Sequence, residues 1–289
     1  MKLEPLSEGA LDLRPRSGKL EMHLLYSCQL ACRHCNRQSF LRHAHTPPMT
    51  VDDVVEVLYQ AQQLRWFPAI LLIGGEPTMH PDFDRICELC REFANLGSRL
   101  GLGYPEKGLQ GLVQLWSNQS TPQAREAAAR VRDRYQISVC EQTIKQGGTI
   151  PLQVYSSGER EGYEFDIQDI MVSPADLGYT RPHCWQHGAE ICGISVDSQG
   201  YSPCSTGGAV AGMLGLQGVR TKVLADLFDP VKVAEMTRKL CESCGNCLSR
   251  TGIPGQVGAE EFREQMAALP RWRGMPVSAT WQRALEGRS

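Results

Sequence analysis

Apolar residues recur with two different spacings in the first half of the chain, and together they predict strands that alternate with helices. Residues 19–26 (KLEMHLLY) alternate between apolar and polar side chains, whereas Ala69–Ile73 (AILLI) is a short, continuous apolar run. The first pattern predicts a strand, and the second predicts a parallel strand buried on both faces. Between them, Thr50 and Asp53 form a variant of the capping box ahead of a helical apolar stripe.

The same alternation continues along the chain as far as residue 180. Two more helices are predicted at 81–97 and 121–135, and a third strand is predicted between them at 112–116. Weaker strand candidates lie at 137–140, 150–155 and 169–172. About six strand–helix units fit, fewer than a closed barrel needs, so the predicted fold class is α/β with a partial (β/α)6 TIM-like barrel.

The chain changes character after that point. Residues 193–203 (GISVDSQGYSP) predict a hairpin with its turn at 197–200, and one clear helix is expected at 230–240. We therefore place a boundary near Asp176. The predicted domains are an N-terminal extension at 1–18, the partial barrel at 19–176, and a small cysteine-rich auxiliary domain with the C-terminal tail at 177–289.

Composition and charge narrow the class of partner. The 289 residues carry a formal net charge of −2, and 42% of them are apolar. This balance is ordinary for a globular protein and offers no basic surface, so we do not expect a nucleic-acid partner. The sequence shows neither a signal peptide nor an uninterrupted apolar run of about 18 residues, as a membrane span would need. It predicts a cytoplasmic protein without a membrane partner.

The chain contains 12 cysteines, and their positions suggest metal binding. In a reducing compartment, so many thiols favour metal or cluster ligation over disulfides. One group is Cys28, Cys32 and Cys35, and a second comprises Cys184, Cys192, Cys204, Cys241, Cys244 and Cys247. Cys87 and Cys90 follow the apolar stripe of the 81–97 helix, so we expect them in the core. Cys140 stands apart, at the end of the fourth predicted strand.

The first group has the spacing Cys-x3-Cys-x2-Cys (CQLACRHC) and directly follows the first strand. Three thiolates can hold three irons of a cubane cluster and leave the fourth iron open for a chelating ligand. A zinc site is the alternative, because His34, His43 and His45 lie close by in sequence and one of them could supply a fourth ligand.

A second motif, Gly74-Gly75-Glu76-Pro77, ends the second strand. Taken with CQLACRHC, it resembles the radical S-adenosylmethionine (SAM) superfamily over residues 19–175. The resemblance implies that SAM chelates the open iron of a [4Fe–4S] cluster and that Gly74, Gly75, Glu76 and Pro77 bind SAM. The chemistry agrees, because glycines allow close backbone approach and a carboxylate complements an amine. The alternative is a tight strand-to-helix turn with a capping acid.

The resemblance implies further contacts with SAM. His34 occupies the position where the family usually places an aromatic residue beside the adenine. Ser117 and Asn118 in WSNQ resemble the end of the third strand that lines the SAM pocket, although Gln119 replaces a glycine common there. The fourth strand usually contacts the ribose, and here Ser138 and Glu141 are both candidates.

The second cysteine group resembles the twitch or SPASM-like domain that follows many radical SAM barrels. This resemblance implies a second, auxiliary [4Fe–4S] cluster bound by Cys184, Cys204, Cys241 and Cys244. We prefer Cys184 to Cys192, and Cys247 lies beyond the Cys-x2-Cys pair. A four-thiolate zinc knuckle fits the same spacing and remains the alternative.

The resemblance implies an enzyme that reductively cleaves SAM and abstracts a substrate hydrogen, with an electron donor such as flavodoxin or ferredoxin as its partner. We favour a peptide or amino-acid-like substrate, with oxidation of a small alcohol or sugar as the alternative. Because 27 residues precede Cys28, we expect no fused leader-peptide-binding domain. Cys140 is a candidate donor of a hydrogen atom to the substrate radical, and the alternative is that its thiol is simply buried. A non-enzymatic iron–sulfur electron carrier or scaffold is the alternative of another class.

Overall fold

The computed structural model describes residues 18–29, 37, 46–104, 109–141, 193–241 and 244. Its strands are β1 (Lys19–His23), β2 (Ala69–Ile73), β3 (Val113–Ser117), β4 (Ser138–Glu141), β5 (Ile194–Asp197) and β6 (Gly200–Ser202). Its α-helices are α1 (Val51–Gln63), α2 (Phe83–Arg99), α3 (Pro122–Tyr135), α4 (Gly207–Leu214) and α5 (Pro230–Cys241). Two 3-10 helices lie at Pro77–Met79 and Leu224–Phe228.

The described strands form one sheet in the order β4-β3-β2-β1-β5-β6. Strands β1 to β5 run parallel, and only the last pairing in the order, β5 with β6, is antiparallel. Strand β1 therefore lies between β2 and β5. Its residue Leu20 is in register with Ile70 on one side and Ile194 on the other. The carboxyl ends of five strands consequently meet along one edge of the sheet.

The two faces of the sheet are covered differently because side chains alternate along each strand. On one face, Leu20, Met22, Ile70 and Leu72 join a large core with the apolar stripes of the first three helices. On the other face, β1 places Glu21 and His23, which are buried polar residues. Helix α4 packs against β5 and β6 on this second face, where Gly208 lies beside Asp197.

Most of the elements predicted from the sequence are confirmed. Thr50 caps α1 in a full capping box with Asp53, and Thr121 caps α3, which has Pro122 at its start. The hairpin turn at 197–200 is also confirmed, but the hairpin adds to the main sheet beside β1. The strand candidates at 150–155 and 169–172 and the boundary near Asp176 lie outside the described residues, so barrel closure and the separate auxiliary domain stay predictions.

Helix α4 was not predicted. Its sequence (GGAVAGML) is apolar around its whole circumference and begins with two glycines, so it shows neither an amphipathic stripe nor a strong intrinsic preference for helix. Tertiary packing explains it, since Ala209, Val210 and Ala211 are all buried. Within the parts of the chain that the structure describes, no helix is both long and apolar enough to cross a bilayer.

Gly97 in α2 provides a test of how tightly this helix packs against Phe67, which lies just before β2. A methyl group at this position would lie 2.6 Å from Cδ1 and 2.8 Å from Cβ of Phe67, whose ring is stacked on Phe93. Glycine-to-alanine changes inside helices usually stabilise by about 0.5–1 kcal/mol. Here the added methyl group should overpack the contact with Phe67, so we expect Gly97→Ala to lower the free energy of unfolding by roughly 1–2 kcal/mol.

The midpoint of urea unfolding measures this effect, with Asn95→Ala on the exposed side of the same helix as the matched control. The control should unfold at or above the urea concentration of the unmodified chain. A Gly97→Ala midpoint equal to that of the control would show that the Phe67 contact is not restrictive.

Candidate active site at the carboxyl edge of the sheet

The loops that follow β1 and β2 stay paired beyond the ends of both strands. The N–H of Leu24 donates to the carbonyl of Ile73 at 2.9 Å, and the N–H of Gly75 donates to the carbonyl of Leu25 at 2.8 Å. The N–H of Glu76 then donates to the carbonyl of Ser27 at 2.9 Å. This backbone ladder brings the Gly-Gly-Glu-Pro motif alongside the residue that immediately precedes Cys28.

The two glycines make this pairing sterically possible. A Cβ atom on Gly74 would lie 2.2 Å from the carbonyl oxygen of Leu25, and one on Gly75 would lie 2.1 Å from that of Ser27. Gly74 also has a φ of 149°, a conformation that other residues rarely adopt. Both glycines are therefore required by close backbone contact with the chain leading into Cys28. The contact with SAM that the sequence motif implies stays a prediction.

Hydrogen bonds to Glu76 connect the loop that follows β2 (the β2 loop) with the loop that follows β3 (the β3 loop). Its side chain is fully buried, and Oε1 accepts hydrogen bonds from the hydroxyls of Thr78 and Ser117 at 2.7 and 2.8 Å. Oε2 accepts the backbone N–H of Asn118 at 2.8 Å. Glu76 also caps the short 3-10 helix that begins with the buried Pro77. The capping role proposed as an alternative is thus present, and the predicted contact of Glu76 with SAM stays a prediction.

Asn118 connects this network to the first cysteine. Its Nδ2 donates to Sγ of Cys28 at 3.5 Å, and its Oδ1 accepts from Nε2 of Gln29 at 2.9 Å. Gln29 Nε2 also donates to the hydroxyl of Ser120 at 2.7 Å. Gln119 has a φ of 48°, so it adopts the left-handed conformation that a glycine would take easily at this position. Gln119 thus takes the backbone conformation that suits the glycine common at this position in the family that the motifs resemble.

The described donors suit an iron–sulfur cluster that carries a chelating ligand. Cys28 is a partly exposed thiol, which is a suitable iron ligand, and the contact of Gly75 with Ser27 fixes the backbone directly before it. Cys32, Cys35 and His34 lie outside the described residues, so the full ligand set stays a prediction. Among the residues that are described, no three His, Cys, Asp or Glu side chains group together as a metal site.

The fourth strand contributes to the same edge. Glu141, in register with Ser117, lies at the carboxyl end of β4, whereas Ser138 lies at its start and accepts a hydrogen bond from Gln114 at 3.4 Å. Which of the two residues contacts the ribose stays a prediction. Cys140 is in register with Trp116, and partial burial raises the pKa of its thiol, which keeps it protonated near neutral pH. Its role as a hydrogen donor stays a prediction.

The cysteines of the second group that are described lie on neighbouring turns. The carbonyl of Cys204 accepts the N–H of Gly207 at 2.9 Å, and Leu240, which precedes Cys241, lies against Gly207. The N–H of Cys244 donates to the carbonyl of Cys241 at 3.3 Å. Cys184, Cys192 and Cys247 lie outside the described residues. An auxiliary cluster therefore stays a prediction.

Two remaining cysteines are structural. Cys87 and Cys90 are fully buried in the core, as the sequence predicted. Burial raises the pKa of Cys90 to about 12 and raises that of Cys87 as well, so both thiols are protonated and poorly suited to metal binding.

A buried ion pair on the second face of the sheet was not predicted from the sequence. Arg37 Nη2 lies 2.7 Å from Glu21 Oε2, and both side chains are almost enclosed, with exposures of 12% and 11%. Arg37 Nη1 also donates to the carbonyl of Ser205 at 2.5 Å. Burial raises the pKa of Glu21, and Arg37 opposes that rise. The alternation of residues 19–26 placed Glu21 on this face, but no sequence signal linked it to Arg37.

A second polar contact links the same regions. The hydroxyl of Tyr26 donates to Oδ2 of Asp197 at 3.0 Å, and Asp197 is buried beside Arg220 at 3.5 Å. Arg220 also donates to the carbonyl of Gly208 in α4. The chain on the amino-terminal side of Cys28 is thus fixed to the β5–β6 hairpin and to α4.

Comparison with known proteins finds one family model that matches part of the chain. Residues 22–115 match the sequence profile of the radical SAM superfamily, a span that includes the cysteine motif, the Gly-Gly-Glu-Pro motif and most of β3. No curated protein matches the chain. The family match is therefore the finding that bears on function.

Three solved structures are similar to the chain. Streptococcus suis SuiB bound to the precursor peptide SuiA is 18% identical with a TM-score of 0.31, over 44% of this chain and 24% of SuiB, so the chain spans about a quarter of that protein. BtrN in complex with AdoMet and 2-DOIA is 13% identical with a TM-score of 0.45, over 80% and 93%. BtrN in an open conformation is 13% identical with a TM-score of 0.40, over 80% and 92%.

Gly75 offers a direct test of the backbone contact at this site. In Gly75→Ala the new methyl group would collide with the carbonyl of Ser27, so the segment entering Cys28 should be displaced. We expect less iron to bind after anaerobic reconstitution, and a thermal midpoint lower than that of the unmodified chain. Both quantities can be measured on the full chain.

Gly101→Ala is the matched control, because Gly101 has a left-handed φ of 65° but no atom lies within 4 Å of the place that its new methyl group would take. It should lose some stability through backbone strain alone and keep its iron. Equal iron content and equal midpoints in the two variants would refute the proposed steric role of Gly75.

Proposed function

We propose that this chain is a radical SAM enzyme in which Cys28, Cys32 and Cys35 bind a [4Fe–4S] cluster with one open iron, to which SAM binds. The family match supports SAM cleavage and radical chemistry in this region. One observation carries the proposal furthest: Cys28, the glycine pair and Asn118 converge beyond the carboxyl ends of three adjacent parallel strands. Active sites of parallel α/β folds lie at this edge.

When bound, the reduced cluster would supply the electron that breaks a carbon–sulfur bond of SAM and yields a 5′-deoxyadenosyl radical. The protein's part is to hold the reacting groups in place. Gly74 and Gly75 let the β2 loop pack directly against the backbone that leads into Cys28, and Glu76 fixes the β3 loop through Ser117 and Asn118. Asn118 in turn orients Cys28 by a hydrogen bond to its sulfur.

The auxiliary [4Fe–4S] cluster is the second part of the proposal, with Cys184, Cys204, Cys241 and Cys244 as its ligands. The nearness of the turn at Cys204 to the end of α5 supports it. A structural zinc bound by the same four thiolates is the alternative. Iron and zinc counting distinguishes the two metals.

The substrate proposed is a peptide or an amino-acid-like molecule that loses a hydrogen atom to the radical. It would bind beyond the carboxyl ends of the strands, where Cys140 and Glu141 end β4. A flavodoxin or ferredoxin would supply the electron. This substrate class rests on the resemblance of the sequence motifs.

Replacing Cys28, Cys32 or Cys35 by Ala tests the proposed activity. Each variant should lose the formation of 5′-deoxyadenosine from SAM and reductant, because the cluster needs all three thiolates. Iron should fall from about eight to about four per chain if the auxiliary cluster is present. The measurements are chromatography of the SAM products and iron analysis after anaerobic reconstitution.

Cys90→Ala is the matched control, since it removes a thiol that lies in the core. It should retain both its iron and its activity, apart from any loss of stability. Continued formation of 5′-deoxyadenosine by the Cys28, Cys32 or Cys35 variants would disprove the proposed function.

A further inference from the structure

Arg37 physically joins the two cysteine-containing parts of the chain. In sequence it lies two residues beyond Cys35, the last cysteine of the first motif. In the structure its guanidinium contacts Glu21 in β1 and the carbonyl of Ser205, which is adjacent to Cys204. One side chain therefore spans from the first cysteine motif, across the central strand, to the turn that carries Cys204.

The chemistry of these contacts requires arginine in particular. The guanidinium uses one terminal nitrogen for the Glu21 carboxylate and the other for the Ser205 carbonyl. Its planar fork can make both bonds at once, whereas a lysine ammonium presents its donors from a single atom. The pair is nearly enclosed, so removal of the cation would leave the Glu21 carboxylate buried without its counter-charge.

A second link on the other side of Cys28 fixes the same two regions. Tyr26, two residues before Cys28, donates to Asp197 at the end of β5, and Asp197 pairs with Arg220. Strand β5 itself is hydrogen-bonded to β1 in parallel. In sequence, the first cysteine motif therefore lies between Tyr26 and Arg37, which contact the hairpin and the turn that follows it.

We infer that Arg37 is a positioning residue that couples the loop of the first cysteine motif to the Cys204 turn, so that the two metal-binding segments take up their places together. The inference rests on the proposed function for the identity of the metal groups. The contact itself involves only protein atoms and can be tested in the metal-free chain.

The test uses Arg37→Gln, Arg37→Lys and Glu21→Gln in the full chain. Hydrogen–deuterium exchange of the metal-free protein reports the order of the Cys204 turn through the amides of residues 202–208. The rate of iron loss to a chelator after reconstitution reports on both metal-binding segments together. Arg130→Gln is the matched control, because it removes an exposed arginine–carboxylate pair, between Arg130 in α3 and Asp84 at the start of α2.

We expect Arg37→Gln to speed exchange at 202–208 by at least about tenfold, because it leaves a buried carboxylate unpaired. Exchange in α2 should stay unchanged, which separates loss of position from a general loss of stability. Iron loss should also accelerate. Arg37→Lys should restore part of the protection of these amides from exchange. Glu21→Gln should have a smaller effect than Arg37→Gln, because the Ser205 contact remains. The control should exchange like the unmodified chain.

The inference is overturned if exchange at 202–208 in Arg37→Gln equals that of the control, or if exchange rises equally in α2. If Arg37→Gln does not fold, the double variant Glu21→Gln with Arg37→Gln, which carries no buried charge, takes its place with the same expected outcomes. A chain that forms no 5′-deoxyadenosine would refute the proposed function. The coupling by Arg37 would still be decided by the exchange result, which does not depend on that activity.

Discussion

The close approach of two backbones at Gly74 and Gly75 is the constraint on which the site depends. Parallel strands usually separate where their ladder ends, and each then turns into its own connection. Here the ladder continues through Leu25 and Ser27 because the facing residues have no Cβ atoms. The chain therefore enters Cys28 directly beside Glu76, and the carboxylate is placed where it can also hold the β3 loop. Three loops are fixed relative to each other by backbone contact and one buried acid.

The central position of β1 extends this order to the far side of the sheet. Strand β1 pairs with β2 on one edge and with β5 on the other, so the segment leading to Cys28 lies between the Gly-Gly-Glu-Pro motif and the hairpin of the second cysteine group. Buried polar residues on the face opposite the main core, such as Glu21 and Asp197, are then satisfied by Arg37, Tyr26 and Arg220. These contacts are of the charge-assisted kind that fixes geometry more than it adds stability.

Local patterns in the sequence were sufficient for the helices and strands with strong caps or continuous apolar runs. Thr50, Thr121 and the run at Ala69–Ile73 each act over a few residues, and the structure confirms all three elements. The glycine pair was predicted to approach SAM, which stays a prediction, whereas the contact that the structure shows is with the backbone of Leu25 and Ser27. What could not be predicted depends on long-range packing: the hairpin joining β1, the apolar helix α4, and the bond from Arg37 to Ser205, which lies 168 residues away.

The central claim is that SAM binds to an open iron held beside the glycine pair. Electron paramagnetic resonance of the reduced, reconstituted chain tests it most directly, with spectra recorded before and after addition of SAM in the variant that lacks Cys204, so that an auxiliary cluster contributes little. We expect SAM to change the g values of the remaining cluster signal. Identical spectra with and without saturating SAM would contradict it.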